Sequence, residues 1–464
     1  MAQSLGDWIG VLEDRAPGEI VRVRRQVQPA QFESSCVVDG LERQGRFPAV
    51  LFESVTDLRG RPTACKILNN TFGNFRKIAL ALGLDTTDRV PIMDEILKRS
   101  TRVMPVKTVP KAKAPVKTRV FPKGEVDLSL LPSIRHTDLD GGPYFTPVVV
   151  ARDASGRYNV SWNRMQYLDR THLGIYMSPR HLWAYFAAAE AGDQELPIAA
   201  VLGHHPAFHL TGAMLNPLHM DEYEAIGGVL GESLEVTPSE TWGDRFFVPA
   251  RSEIIIEGRM LPRRRCVEGP FGEFTGYSGP QRLSWVVEVD AVTMRETPIL
   301  IDIFPCQTEH MNAHLPIEAS IYQRAREAVP GVVKTCWVGS GGPFNLILSL
   351  KKRTEGEPMR AAMAAISASN FIKHVIVVDD DIDPEDKTQV MWALASRVQA
   401  DADITILKNL QGQVLDPSLV HEIKTSGMII DATKPLDRPF PRKGVVPAKI
   451  RDRIRLSDYL EEPK

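Results

Sequence analysis

No stretch of this chain is apolar for long enough to cross a bilayer. An excess of one charge is missing too. The chain has 56 Lys and Arg against 58 Asp and Glu, a net charge of −2, which argues against a dedicated nucleic-acid binder. Cysteine is scarce: Cys36, Cys65, Cys266, Cys306 and Cys336 are scattered, odd in number and never spaced as CxxC. That leaves neither a zinc site nor a disulfide framework and fits reduced thiols in the cytoplasm. The opening MAQSLGDWIGVLEDR lacks the basic and apolar regions of a signal peptide, and reads instead as an amphipathic helix with Leu5, Ile9 and Leu12 inward. No repeat of solenoid period is found. What remains is an ordinary globular composition, 43% hydrophobic and 25% charged over 464 residues, enough for two or three domains.

The pattern changes along the chain. Residues 1–100 mix helix and strand, with a buried strand expected over 48–55 and helices over 74–84 and 92–98. Residues 101–123, rich in Lys, Arg and Pro, read as an extended, solvated linker. From 126 to about 305 short β-like runs dominate (146–150, 158–162, 198–202, 253–257, 284–292 and 299–304). Only 181–189 and 221–230 read as helical there, which predicts a barrel or sandwich with attached helices. A helix over 315–329 leads to a small α/β unit from 332 to about 410. The proline-bearing tail from 436 ends in a charged helix over 449–461, an arm suited to a partner subunit.

The densest chemistry lies in Glu268-Gly-Pro-Phe-Gly-Glu273. Five residues apart, the two carboxylates would face opposite sides of a regular strand. A Gly/Pro turn can bring both into one pocket, where each perturbs the other's pKa and one can carry a proton near neutrality. In Tyr158-Asn-Val-Ser-Trp-Asn-Arg164, the residues Asn159, Ser161 and Asn163 share one strand face. Arg164, suited to gripping a carboxylate, falls on the other face unless a turn redirects it. Ser178-Pro-Arg180-His181 opens one helix, where an anion or metal–phosphate would be favoured, and Glu222 begins another. Asn159, His181 and Glu222 together offer two oxygens and one nitrogen, a set for Mn²⁺ or Mg²⁺ rather than structural zinc. Asp379–Asp383 lacks the layout of a calcium loop and reads as a strand end capping a following helix. Gly339-Ser-Gly-Gly342 lacks the Lys of a P-loop and reads as a tight turn. His204, His205, His310, Asn312 and His314 are polar enough to line a pocket.

Taken in order, these pieces resemble the UbiD family of prenylated-FMN-dependent decarboxylases. The matching stretches are Asp140-Gly-Gly-Pro-Tyr144, Asn159 to Arg164, Pro179-Arg-His181, Glu222-Tyr-Glu-Ala-Ile-Gly-Gly, Glu268 to Tyr277, Val377 to Pro384 and Asp431-Ala-Thr. The resemblance implies a mixed α/β fold: an N-terminal α/β domain (1–117), a central split β-barrel cofactor domain like that of flavin reductases (118–314), a linking helix (315–331), a C-terminal α/β oligomerisation domain (332–435) and a terminal arm (436–464). It implies that Asn159, His181 and Glu222 hold Mn²⁺ or Mg²⁺ against the phosphate of prenylated FMN. Ser161, Trp162, Asn163, Arg164, Arg180 and Met214 would join them around the flavin, with K⁺ near the backbone of 211–214. Arg164, Glu268 and Glu273 fall on the family's catalytic set. The implied activity is reversible decarboxylation of an aromatic, heteroaromatic or α,β-unsaturated acid, releasing CO₂. The implied partners are a prenylated-flavin synthase and further copies of the chain. Two alternatives stand beside it: a flavin-independent metal hydrolase built on Glu268, Glu273 and His181, and a catalytically silent flavin-binding subunit. Glu273 and Arg180 stand where some relatives carry Asp and Gln, and neither difference names a substrate.

Overall fold

A computed structural model describes residues 4–338, 344–419 and 423–460. Ser4 caps the first helix, Leu5–Arg15, in a reciprocal exchange with Asp7, and Leu5, Trp8, Ile9 and Leu12 are buried, as the amphipathic pattern predicts. The helices expected near 74 and 92 form over Phe75–Ala81 and Arg89–Ser100, capped by Asn74 and Asp88. A four-stranded sheet runs in the order Ile20–Val23, Ala49–Phe52, Lys66–Asn69, Ile299–Ile301. Ala49–Phe52 is buried at every position, as a central strand covered on both faces must be.

The middle of the chain forms a nine-stranded sheet whose pairings are all antiparallel. Its long central strands, Ile254–Glu268 and Arg282–Met294, pair with register shifts at Glu257/Gly258 and between Met260 and Arg265. Such bulges bend a strand and increase its twist, which curls the sheet. The third sheet has five strands in the order Val332–Trp337, Asn345–Leu350, His374–Asp379, Lys424–Ala432, Ile404–Gln411. Its Val/Ile-rich parallel centre is packed by the helices Glu357–Ala368 and Lys387–Arg397.

Several expectations are corrected. Residues 101–123 run extended and largely exposed, as expected, but they are built into two sheets and are not a free linker. Lys107–Thr108 pairs with Glu235–Ser239, Arg119–Pro122 joins the large sheet, and Val116 is fully buried. Lys117, almost fully buried, places Nζ 3.1 Å from the buried Glu257 carboxylate. The prolines forbid a helix but not edge strands, and Lys117 and Lys123 find the buried carboxylates of Glu257 and Asp290. The strand expected over 299–304 forms as Ile299–Ile301 but lies parallel to Lys66–Asn69 in the first sheet. An extra helix, Pro206–Thr211, is capped by His205. The helix after the Asp379–Asp383 run is capped by Asp386, while Asp379 and Asp381 grip Arg397. The terminal helix expected over 449–461 shrinks to Ala448–Arg451 and a 3₁₀ turn at Leu456–Asp458. No residue there is buried, and short helices depend on a packed face for stability. The turn expected at 339–342 lies outside the described residues.

Candidate active site

Strand Tyr158–Trp162 ends two residues before Met165–Tyr167 begins, so Asn163 and Arg164 form the connection between them. The alternation of faces no longer governs Arg164, which meets both glutamates. Arg164 Nε donates to Glu268 Oε1 at 2.7 Å and Nη2 to Oε2 at 3.1 Å, while Nη1 donates to Glu273 Oε1. Glu268 ends the long strand Ile254–Glu268 and is wholly buried. Glu273 follows the short ribbon Phe271–Gly272, which pairs with Ser278–Gly279. The Arg164 guanidinium also lies between rings, 4.6 Å from the Tyr176 centroid and 4.8 Å from that of Phe271.

The turn between the glutamates needs its glycines. Gly269 has φ +89°, a region L side chains rarely adopt. The Asp140-Gly-Gly-Pro-Tyr144 segment braces it from behind. Gly141 N donates to the Pro270 carbonyl at 2.8 Å, Tyr144 Oη to the same oxygen at 3.1 Å, and Gly272 N to Asp140 Oδ1 at 3.4 Å. A Cβ on Gly141 would run into the Gly269 carbonyl. Gly141→Ala must therefore displace the turn that carries both carboxylates. An ångström of misplacement costs about 100-fold in rate. We expect that loss in kcat, measured by steady-state turnover, with secondary structure unchanged by circular dichroism. Deeper still, His136 Nε2 sits 3.0 Å from Asp302 Oδ1 and Nδ1 3.6 Å from Asp140 Oδ2. Burial opposes the imidazolium, but Asp302 and Asp140 hold its pKa up at about 9.

Burial pushes the Glu273 carboxyl above its usual range; Arg164 pulls it down and Glu268 adds a further push upward. Burial also opposes the Arg164 charge, yet Glu273 and Glu268 hold its pKa above the ordinary arginine value. The pair is thus a fixed cation facing a carboxyl with a raised proton affinity.

A cavity of about 510 Å³ opens beside this group. Asn159, Ser161, Trp162, Asn163, Arg164, Arg180, His181, Met214, Glu222 and Glu273 all line it; Glu268 stands behind Arg164. At one end, Asn159 Nδ2 donates to Glu222 Oε2 at 2.9 Å, and His181 Nδ1 lies 3.5 Å from Glu222 Oε1. Asn163, although beyond the strand's end, still turns its amide back: Nδ2 donates to Ser161 Oγ at 2.9 Å. His181 opens helix His181–Ala191 and Glu222 opens helix Glu222–Leu230, so both side chains are delivered by helix starts. The indole nitrogen of Trp162 is buried with no hydrogen-bond partner among the described residues.

Of the histidines weighed earlier, His310 and His314 line the cavity, and burial drives the pKa of both below its ordinary value. Asn312 instead donates to the Phe72 carbonyl, and His205 is spent on its helix cap. Phe371 and Leu415 of the third sheet's unit close the far wall. Neither they nor Tyr176 carry a sequence signal, because pocket walls assembled from distant segments have no local motif.

Three family models match consecutive parts of the chain. They describe the N-terminal domain (residues 11–99), the Rift-related domain (107–308) and the C-terminal domain (310–432) of 3-octaprenyl-4-hydroxybenzoate carboxy-lyase, UbiD. A phenolic acid decarboxylase from Sedimentibacter hydroxybenzoicus is 31% identical over 459 residues, covering 95% of this chain and 94% of its own. Among solved structures, the UbiD-class enzyme HmfF from Pelotomaculum thermopropionicum in complex with FMN superposes with a TM-score of 0.89 at 36% identity. The match covers 98% of this chain and all of the other. An evolved dimeric form of HmfF, in complex with prFMN, gives 0.86 at 35%, covering 99% and 100%.

Proposed function

This chain belongs to the UbiD family of carboxy-lyases, and from that premise we propose how its site performs reversible, non-oxidative decarboxylation of an aromatic, heteroaromatic or α,β-unsaturated carboxylic acid. The observation that carries the reading is one guanidinium, Arg164, held by both Glu268 and Glu273 in the wall of a large cavity. Prenylated FMN, when bound, supplies the electron sink for the pair left behind as CO₂ departs. Arg164 grips the substrate carboxylate in a two-pronged contact and sets the angle at which the carbon–carbon bond breaks. Glu268, wholly buried, fixes the guanidinium and balances its charge. Glu273, its proton affinity raised by burial, delivers a proton to the carbon that has lost CO₂, replacing C–C by C–H. In carboxylation it takes that proton back.

Asn159, His181 and Glu222 would hold Mn²⁺ or Mg²⁺, which would neutralise the cofactor phosphate, and the backbone near residues 211–214 would hold K⁺. The donor set supports this: two oxygen-bearing side chains and an imidazole converge at the cavity end. The unpartnered Trp162 indole offers a further donor, and Ser161, Asn163 and Met214 complete the cradle. The curled sheet serves as the split-barrel flavin domain, and the five-stranded unit with the exposed terminal arm serves assembly into a homodimer or larger homo-oligomer. Apolar side chains bare on that arm, among them Val445, Leu456 and Tyr459, support the assembly role. Five free thiols suit a cytoplasmic protein supplied by a prenylated-flavin synthase. Among the described residues no helix is long and apolar enough to cross a membrane.

Co-expression with a prenylated-flavin synthase followed by native mass spectrometry tests this. We expect prenylated FMN and one divalent metal per chain, and CO₂ release from a panel of phenolic, heteroaromatic, polycyclic and acrylic acids. His181→Ala should lose the metal and lower bound flavin at least about tenfold. Unmodified FMN alone would leave the cradle standing without the chemistry. Protein that is active and metal-loaded without flavin would instead be a hydrolase.

A further inference from the structure

The Tyr176 ring carries a second cation besides Arg164. The Arg164 guanidinium carbon lies 4.6 Å from the ring centre, and that of Arg282 lies 4.7 Å from the same centre. The two charges therefore stand within about 10 Å of each other, roughly one Debye length even where solvent reaches them. Strand register brings them together. Arg282 opens strand Arg282–Met294 directly opposite Glu268, and Tyr176 follows strand His172–Ile175, which pairs with the same strand at Trp285. Yet the Glu268 carboxylate is taken by Arg164, and among the described residues no carboxylate pairs with Arg282. Its Nε is buried without a hydrogen-bond partner. Tyr176 lines the cavity and Arg282 does not, so this guanidinium acts from behind the ring.

Glu268 neutralises Arg164, and Glu273 is neutral while it carries its proton. A carboxylate arriving on Arg164 leaves that group with one negative charge in excess. We propose that Arg282 is a positioning residue whose charge, held behind Tyr176, balances the substrate carboxylate on Arg164. This rests on the decarboxylase reading and adds a fourth side chain to the machinery of that site. Over about 10 Å, at an effective dielectric constant of about 20, one unit charge changes an equilibrium constant by roughly tenfold. The same charge reaches the acid. Burial raises the proton affinity of Glu273, Arg164 lowers it, Glu268 raises it, and Arg282 lowers it again. The other titratable groups around Glu273 hold their charge state. Cys306 Sγ donates to the Glu273 carbonyl at 2.9 Å, and burial pushes its thiol up to about 12. His310, packed on Phe274, is kept neutral by burial, and Asp140 and His136 pair with each other behind the turn.

The test uses the flavin-loaded protein and calorimetric binding of benzoate, with benzamide as the uncharged control. We expect Arg282→Gln to bind benzoate about tenfold more weakly than the native protein does. Benzamide affinity, flavin content and melting temperature should stay unchanged. Benzoate affinity should fall at alkaline pH as Glu273 ionises beside it. In Arg282→Gln that fall should move to higher pH, because the acid has lost a cation that favours its ionised form. Arg282→Lys keeps the charge and should restore both. Unchanged benzoate affinity in Arg282→Gln would overturn the proposal. So would equal weakening of benzoate and benzamide, the mark of a merely structural role, or an alkaline fall that stays where it is. These readouts stand apart from turnover: the expected shifts in a protein that releases CO₂ from no acid of the panel would uphold the balancing charge and sink the decarboxylase reading alone.

Discussion

Glu273→Gln should lower kcat by about 10²–10⁴-fold while leaving flavin and metal content at native levels. Gln keeps the size of the side chain and a carbonyl to accept from Arg164, so the cavity holds its shape, but it has no acidic proton to deliver. Because burial raises the Glu273 pKa, the native enzyme should lose activity as pH climbs through that raised value. Above it the carboxylate is ionised and the proton is gone; below it the rate should level off. The residual rate of Glu273→Gln should lack this alkaline limb. Measuring kcat against pH for both proteins, with flavin quantified by absorbance, gives the comparison. Normal turnover by the variant would remove Glu273 from the reaction.

Arg89→Leu should destabilise the protein by about 3–5 kcal/mol, the usual loss when one partner of a buried ion pair is removed. Arg89 in helix Arg89–Ser100 reaches Glu318 in helix Leu315–Ala328 at 2.5 Å and Glu385 beyond the third sheet at 2.9 Å. Its side chain is 9% exposed and that of Glu318 only 3%, so solvent screens the pair little. Burial raises the Glu318 pKa, and without Arg89 its charge would be left unanswered beside Thr335 and Trp337, which donate to it. The sign of the pH dependence follows. With its folded pKa raised further, Glu318 favours the folded state when protonated, so the Arg89→Leu deficit should shrink on acidification and grow toward neutral pH. Adding Glu318→Gln should recover part of the loss, since the amide oxygen still accepts from Trp337 N. Denaturant unfolding at pH 5 and pH 8 would measure both effects; equal deficits at the two values would count against the buried-charge account.

Much of this architecture was legible before any coordinate. The Glu268–Glu273 loop could be read because glycine, proline and paired carboxylates in one short segment leave few alternatives, and its two side chains do meet on one cation. Asn159 and Ser161 lie on the strand as read; Asn163 and Arg164 fall past its end at Trp162, which frees Arg164 from the alternation. The composition of 101–123 reports its exposed, extended course but not its anchoring, because its ion pairs are made with Glu240 and Glu257, more than a hundred residues away. Phe371, Leu415 and Tyr176 were invisible for the same reason. The terminal helix is shorter than its charge pattern suggests because such a pattern favours a helix only when some face has a surface to bury against.

The placement of Ile299–Ile301 has a consequence for synthesis. This strand completes the first sheet against Lys66–Asn69, and the Asn69 amide bonds Asp302 across 233 residues of chain. A ribosome adds about 5–20 residues per second, so the first three strands wait about 10–50 s for their fourth. During that interval the edge formed by Lys66–Asn69 is bare, with its backbone amides and carbonyls unpaired on one side. The nascent N-terminal half is the stage at which a holding chaperone would matter most. A fragment ending before residue 299 should be the form of this protein most prone to aggregate.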